Sequence, residues 1–522
     1  MHLLFPLVAL AVQARVISAA APDYHDTQQQ QPLDFTDASQ PHLEILNADV
    51  DAAINSILQD FRSPGGVGAA VVRKGPDGSG WSVETKGYGV AKLDGTKATS
   101  DTLFCIGSNS KLFDILATGL LISNKSLSTP ISWDTKMASV MPEWGIMDPV
   151  ASAESTIVDV MSHRTGLPRH DLIIPFRIRR LRYLRPSTGF REQWQYNNHM
   201  YTVLSYFPQL LTGIPFETYV DEFIIQPLGM HSTTYFSRTA KESGHLADGI
   251  AREGVNLTED VFGLGTLRAL PYWLPNDKPG HGTIDNGRHP ATDSAVIPAD
   301  VVRRVAAGVT VALPVAQFPE LSPGVYGGGQ FRGTYRGFVC LLGFRSQVTR
   351  IPSQNFGVAV LSNDDSFGTP IVEAIKFLII DEAMKLNPVD WSARFKSGIT
   401  ASFKGRTIPT PRPINATAPL HPFDKLAGRY QNLGYGTIEL CFVTSDRKSA
   451  ANSAACARLI EEIPTTLPDA IDPSVPILLA KYPFLRLTHI SLAHFEHNVF
   501  NFSGLNSVVR PCRFVVFGGL QF

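Results

Sequence analysis

The chain has 522 residues, too many for one small core, so two folded domains are the expectation. A hydrophobic fraction of 44% with 18% charged residues describes an ordinary globular protein. A formal charge of -1 gives no bulk reason to expect a nucleic acid or an anionic membrane as partner.

Residues 3–12 form a short apolar run, and Ser18, Ala19 and Ala20 supply small residues for cleavage. That pattern predicts a signal peptide over 1–20 and a secreted, extracellular protein, although only Met1 and His2 stand in place of a basic leader. Residues 21–42 are polar and Gln-rich and read as a flexible lead. Four Asn-x-Ser/Thr sequons agree with export: Asn124, Asn256, Asn415 and Asn501. No later segment is apolar for long enough to span a bilayer; residues 371–380 come nearest but carry Glu373 and Lys376.

Helical spacing runs over 45–61, followed by strands at 67–72 and 81–88. Residues 104–122 then read as a long apolar helix, 156–162 as a short one, and 201–211 and 216–225 as two more. A strand at 357–361 and a helix at 371–384 close this region. A helix-rich middle flanked by strands from both ends implies an α+β architecture over 43–386. Residues 387–421 contain Pro409, Pro411 and Pro413 at alternate positions and read as a Pro-rich linker. The pattern from 422 to 522 is strand-like, with segments at 435–440, 484–487 and 514–517, and reads as a small β-rich domain.

The tetrad Ser108-Asn109-Ser110-Lys111 opens the 104–122 helix. A spacing of three puts the Ser108 hydroxyl and the Lys111 amine on one helical face. Serine needs a base to become a nucleophile, and a lysine amine that has lost its proton can serve without histidine or metal. Spacing alone is weak: Ser445-Asp446-Arg447-Lys448 has it too, in a polar stretch read as a solvated loop. Context separates the two copies. Gly107 allows a close backbone approach, and Leu112, Ile115 and Leu116 bury the helix. Tyr196-Asn197-Asn198 adds a phenol and a carboxamide: the phenol can shuttle a proton and the carboxamide can orient a carbonyl or an amine. Standing alone, Tyr196 would read as an aromatic plug and Asn198 as a helix N-cap.

Together these motifs resemble the penicillin-recognising serine hydrolases, most closely the class C β-lactamase and penicillin-binding-protein-like esterase branch, with Tyr-x-Asn where class A enzymes carry Ser-Asp-Asn. Further matching stretches are Ser162-His163-Arg164-Thr165-Gly166-Leu167, Pro227-Leu228-Gly229-Met230, Gly343-Phe344-Arg345-Ser346 and Val360-Leu361-Ser362-Asn363. The linker and β-rich tail are similar to the lipocalin-like appendage of fungal secreted members. The resemblance implies an antiparallel sheet with helices, Ser108 as nucleophile, Lys111 as base, Tyr196 as proton shuttle and Asn198 as substrate-binding residue. It also implies one oxyanion donor at the Ser108 backbone N–H, no cofactor and no metal. The implied substrates are esters, lactams, small amides or peptides.

The third element of the family, a Lys-Thr-Gly or His-x-Gly strand, has no match in Tyr335-Arg336-Gly337-Phe338-Val339-Cys340-Leu341-Leu342-Gly343. Tyr335-Arg336-Gly337 is a displaced substitute at best. A second shortening falls at 278–287, and the pair suggests lost coding sequence. Losing one oxyanion donor costs about 3–4 kcal/mol in the barrier. The expectation is therefore an enzyme that acylates better than it turns over; the alternative is a non-catalytic binding protein that keeps the pocket.

Other features carry less. Five cysteines are too few for a disulfide scaffold; one pair among Cys441, Cys456 and Cys512 is open, and Cys105 is expected to pack as a small hydrophobe. Six arginines between 177 and 191 read first as a solvated, ion-paired face and second as a rim for carboxylate-bearing substrates. His494-Phe495-Glu496-His497 lacks zinc spacing, and Gly327-Gly328-Gly329 reads as a flexible turn.

Overall fold

The computed structural model describes residues 44–75, 80–171, 177–257, 259–270, 295–342, 346–404, 410–443, 453–467, 471–472, 474–484, 487–505 and 519–521. The signal-peptide reading of 1–20, the lead at 21–42, the shortening at 278–287, Ser445 to Lys448 and Cys512 lie outside these residues.

Among the described residues, eight antiparallel strands form the central sheet. Their order is Trp81–Gly89, Gly66–Lys74, Phe356–Ser362, Gln347–Ile351, Phe338–Leu342, Phe331–Tyr335, Gly324–Tyr326 and Thr310–Leu313. The first and last parts of this region therefore meet next to the Trp81–Gly89 edge of the sheet, where Ala69 pairs with Val360 and Val71 with Val358. Alternation explains the two faces. Val67, Ala69 and Val71 pack with the helices Ala48–Asp60 and Gly368–Ala383, while Gly68 faces the Phe104 ring closely. A Cβ on Gly68 would lie 2.9 Å from that ring.

The helix Ser110–Ser123 is the spine of a separate helical core, with Phe113, Ile115, Leu116, Ala117 and Leu121 buried. Burying each of the larger of these side chains is worth about 1.5–3 kcal/mol. Gly119 lets Val301 of the helix Ala299–Ala306 come against the spine; a Cβ there would meet Val301 at 2.3 Å.

The tail forms a six-stranded antiparallel sheet in simple order, from Gly428–Asn432 through Gly436–Val443, Ile477–Phe484, Leu487–Glu496 and Val499–Leu505 to Gly519–Gln521. A helix that the strand pattern hid, Ala454–Thr466, packs on it, and Cys441 and Cys456 form a disulfide across this junction.

Two expectations change. Part of the segment 387–421 read as a linker is the helix Trp391–Lys404, because Trp391 is buried against Tyr335 and Phe377 and ties that stretch to the core behind the eight-stranded sheet. The expected helix at 201–211 divides into Asn198–Leu204 and Phe207–Thr212, with Pro208 at the start of the second.

Candidate active site

A tight turn, Gly107–Asn109, leads into the helix Ser110–Ser123, so Ser108 and Lys111 sit about one turn apart at the entry of that helix. Lys111 Nζ lies 3.1 Å from Ser108 Oγ, and the lysine is only 8% exposed, so its amine is directed at the serine rather than at solvent. Gly107 is required for a different reason from the one expected. Its φ is +52°, while a Cβ there would meet nothing within 4 Å, so backbone conformation and not close approach selects glycine.

Tyr196 and Asn198 reach the same point from the start of the helix Asn198–Leu204. The N-cap is Asn197, whose side chain accepts from His199 N–H, which leaves the Asn198 carboxamide available to the site. Tyr196 donates its hydroxyl proton to Ser108 Oγ at 2.7 Å, and Lys111 Nζ donates to Asn198 Oδ1 at 2.9 Å. The Lys111 amine also lies 4.9 Å from the Tyr196 ring centre. Ser108, Lys111, Tyr196 and Asn198 are thus one hydrogen-bonded group, and the arrangement can move a proton off Ser108 and hold another ready on a phenol.

Around this group lies a set of residues that the motifs did not identify. Asp171 accepts from Asn198 Nδ2 at 3.1 Å and from Arg169 Nε at 2.5 Å, and the Arg169 guanidinium lies 5.2 Å from the Tyr196 ring centre. These residues directly follow the Ser162 to Leu167 stretch, so chain proximity to a matching motif was the available signal. His163, wholly buried, packs against the rings of Tyr196 at 4.7 Å and Tyr201 at 5.1 Å. Burial, with the positive charges of Lys111 and Arg169 nearby, holds its pKa well below the usual histidine value, so the ring is neutral. Its Nδ1 accepts the Asn197 N–H at 3.2 Å.

Gly327 to Gly329, expected as a flexible turn, is instead a close-packing element. Gly329 has φ +75°, and a Cβ there would lie 2.8 Å from the backbone of Lys111 and Leu112. Its N–H donates to Tyr201 Oη at 2.8 Å, and Tyr201 donates to Met161 O at 2.5 Å. Burial raises the Tyr201 pKa, so that phenol stays protonated and the chain of bonds stays intact.

At the expected third element, Tyr335-Arg336-Gly337 does not act as a substitute. Arg336 and Gly337 are the two-residue turn between the strands Phe331–Tyr335 and Phe338–Leu342, with φ of +48° and +89°. Tyr335 donates to Asp381 Oδ1 at 2.7 Å, and Arg336 pairs with Asp381 and with Asn387 O, which commits both to the sheet's helical backing. The residue just before the next strand, Gln347–Ile351, does border the Ser108 turn: Asn109 Nδ2 donates to Ser346 O. Phe338, Val339 and Cys340, on the strand between them, offer no lysine or histidine. Residues 343–345 lie outside the described set.

Cys105 is exposed, not packed, because Phe104 and Ile106 take the inward positions of that extended stretch. Of the arginines between 177 and 191, Arg191 pairs with buried Asp159 at 2.7 Å. Asn124, Asn256 and Asn415 are exposed, while Asn501 is half-buried in the strand Val499–Leu505. His494 Nε2 is hydrogen-bonded with His497 O at 3.0 Å.

Comparison with known proteins fits this geometry. A family model described as Beta-lactamase matches residues 54–377. The unguisins hydrolase ungD of Aspergillus violaceofuscus is 26% identical over 478 residues, covering 80% of this chain and 82% of that protein. The unguisins hydrolase ungD' of Aspergillus campestris is 25% identical over 446 residues, covering 76% and 78%. Among solved structures, the octameric penicillin-binding protein homologue from Pyrococcus abyssi superposes with a TM-score of 0.53 at 15% identity, covering 88% of this chain and 93% of that one. The D-amino acid amidase from Ochrobactrum anthropi SV3 superposes with a TM-score of 0.51 at 19% identity, covering 65% of this chain and 99% of its own. These two structures share the fold with this chain.

Proposed function

Since the chain belongs to the beta-lactamase family, we propose that it is a serine hydrolase that forms an acyl-enzyme at Ser108. The observation that supports this best is the convergence of Lys111 Nζ and Tyr196 Oη on Ser108 Oγ, at 3.1 and 2.7 Å. In this reading the Lys111 amine takes the seryl proton as Oγ attacks a carbonyl carbon. The oxyanion forms toward the Ser108 backbone N–H at the helix entry, where the helix dipole favours negative charge. Tyr196 hands its proton to the leaving group and is recharged through Lys111, and water then hydrolyses the ester. Asn198 holds the lysine amine and faces the substrate.

Ester, lactam, small amide and peptide carbonyls all suit such a site. Relatives named as unguisins hydrolases make unguisins the first compounds to assay. Secretion with glycosylation belongs to the same proposal: the Cys441–Cys456 disulfide suits an oxidising compartment, and three of the four sequons are exposed. The β-rich tail as a lipocalin-like appendage is supported by its antiparallel strand order. A non-catalytic binding role is the second reading, favoured by the lack of lysine or histidine at positions 338 to 340. A fluorophosphonate probe separates the two. Labelling of the wild-type chain that disappears in Ser108→Ala supports the hydrolase; a wild type as inert as the variant supports the binder.

A further inference from the structure

We propose that Tyr435, on the first hairpin of the C-terminal sheet, is a positioning residue for the Ser108 site, acting through His170 and Asp171 on Asn198 and Lys111; this rests on the serine-hydrolase reading. Tyr435 follows directly on the tip joining the strands Gly428–Asn432 and Gly436–Val443. The tip is shaped in advance: Asn432 Oδ1 accepts the N–H groups of Gly434 and Tyr435 at 2.8 and 3.0 Å. It also fits closely against the arginine-rich segment of the other domain. A Cβ on Gly434 would lie 2.7 Å from Leu184 Cδ2, which excludes any larger residue there without movement.

Tyr435 Oη lies 2.5 Å from His170 Nδ1. The direction of that bond follows from the other side of the ring. His170 Nε2 faces Arg185 O at 3.0 Å, and a carbonyl only accepts, so Nε2 carries the hydrogen. Burial keeps the ring neutral, which leaves Nδ1 as an acceptor and Tyr435 as the donor. The His170 carbonyl is held as well, by His199 Nε2 at 2.9 Å, and residue 170 has φ +48°, an uncommon conformation for a side-chain-bearing residue. Three separate bonds therefore fix a backbone unit that would otherwise relax.

The adjoining residue is Asp171, whose carboxylate receives Asn198 Nδ2 at 3.1 Å. That bond decides which way the Asn198 carboxamide points. With Nδ2 on a carboxylate, Oδ1 must face the Lys111 amine, at 2.9 Å. If the 169–171 loop drifts, Asn198 loses its orienting partner and Lys111 loses its fixed direction toward Ser108. The C-terminal sheet thus supplies a hydroxyl that helps to hold the catalytic lysine through His170, Asp171 and Asn198.

The test uses the full-length chain and a fluorophosphonate probe, with kinact and KI measured separately and hydrogen exchange read by mass spectrometry. Tyr435→Phe is expected to lower kinact about three- to tenfold, the effect of losing one hydrogen bond. KI and Tm should be unchanged, and exchange should rise in peptides covering 165–171 and 196–204. Unchanged kinact with unchanged exchange in those peptides overturns the proposal. So does a kinact loss that comes with a lower Tm and faster exchange throughout. If the wild-type chain never labels at Ser108, the hydrolase reading fails separately. The exchange measurement still decides the coupling: faster local exchange in Tyr435→Phe supports it, and no change overturns it.

Discussion

The Lys111 amine and the Asn198 carboxamide oxygen meet at 2.9 Å although the two residues lie 87 positions apart in the chain. One belongs to the spine helix and the other to the first turn of a helix packed beside it. The pairing gives the lysine a fixed direction, since among the described residues its other hydrogen-bond partner is Ser108 Oγ at 3.1 Å. Asn198→Ala removes a hydrogen bond to a charged or chargeable amine, worth about 1.5–3 kcal/mol. We expect probe labelling of Ser108 to slow by roughly tenfold to a hundredfold, with little change in Tm. Labelling at the wild-type rate would show that Lys111 needs no such guide.

Gly329 controls the same lysine from behind. An added methyl group would sit 2.8 Å from the Lys111 carbonyl carbon, in a backbone conformation that side chains disfavour. Gly329→Ala should cost about 1–3 kcal/mol of stability through overpacking and backbone strain. It should also reduce Ser108 labelling beyond what the loss of folded protein explains. Urea unfolding and labelling measured on the same sample separate the two effects.

Asp159 is buried between two arginines, with bonds from Arg164 at 2.8 Å and Arg191 at 2.7 Å and a reciprocal capping bond with Thr156. Burial alone would push its carboxyl up, but the Arg191 and Thr156 bonds and the Arg164 charge outweigh burial and hold it below the usual range. Asp159→Ala should destabilise by about 3–5 kcal/mol, because it breaks a buried pair from one side. Arg191→Ala should cost less, since that side chain is 45% exposed. Denaturant midpoints compare the two directly.

The three histidines around the site give a defined pH signature. Burial lowers the pKa of His163, His170 and His199 in the folded state. Below about pH 6.5 the unfolded chain takes up protons that the folded chain does not, so stability present at neutral pH is lost as pH falls. Each such group contributes a slope of about 1.4 kcal/mol per pH unit until its folded pKa is reached. His163→Gln should remove one proton's share of that slope. An unchanged slope in urea titrations between pH 6.5 and pH 4.5 would count against a neutral buried His163.

Much of the site was legible because its chemistry sits in short local patterns. Ser108 and Lys111 are fixed by helical spacing, and Tyr196 and Asn198 by a motif at a helix entry. The paired strands Gly66–Lys74 and Phe356–Ser362 showed in their apolar runs. What stayed hidden depends on contacts between distant segments. Asp171 is one aspartate among many until Asn198 meets it, and Gly329 looks like a flexible glycine until the Lys111 backbone comes against it. The helix Trp391–Lys404 was masked by the prolines that follow it; its first residue is a core tryptophan, and that packing outweighs the loop-like composition. Cys105 misled because alternation along an extended segment, not residue type, decides which side chains turn inward.

The central claim is a covalent ester on Ser108 formed by Lys111 and Tyr196. Rapid-quench intact mass with an activated ester substrate tests it most directly, in the wild-type chain and in Ser108→Ala, Lys111→Ala and Tyr196→Phe. The account predicts one acyl group per chain, mapped by peptide mass to Ser108. It should accumulate because acylation outpaces turnover at a site lacking its third strand motif, be absent in Ser108→Ala, and slow at least a hundredfold in Lys111→Ala. An adduct on another residue, or one that forms as fast without Lys111, would contradict it.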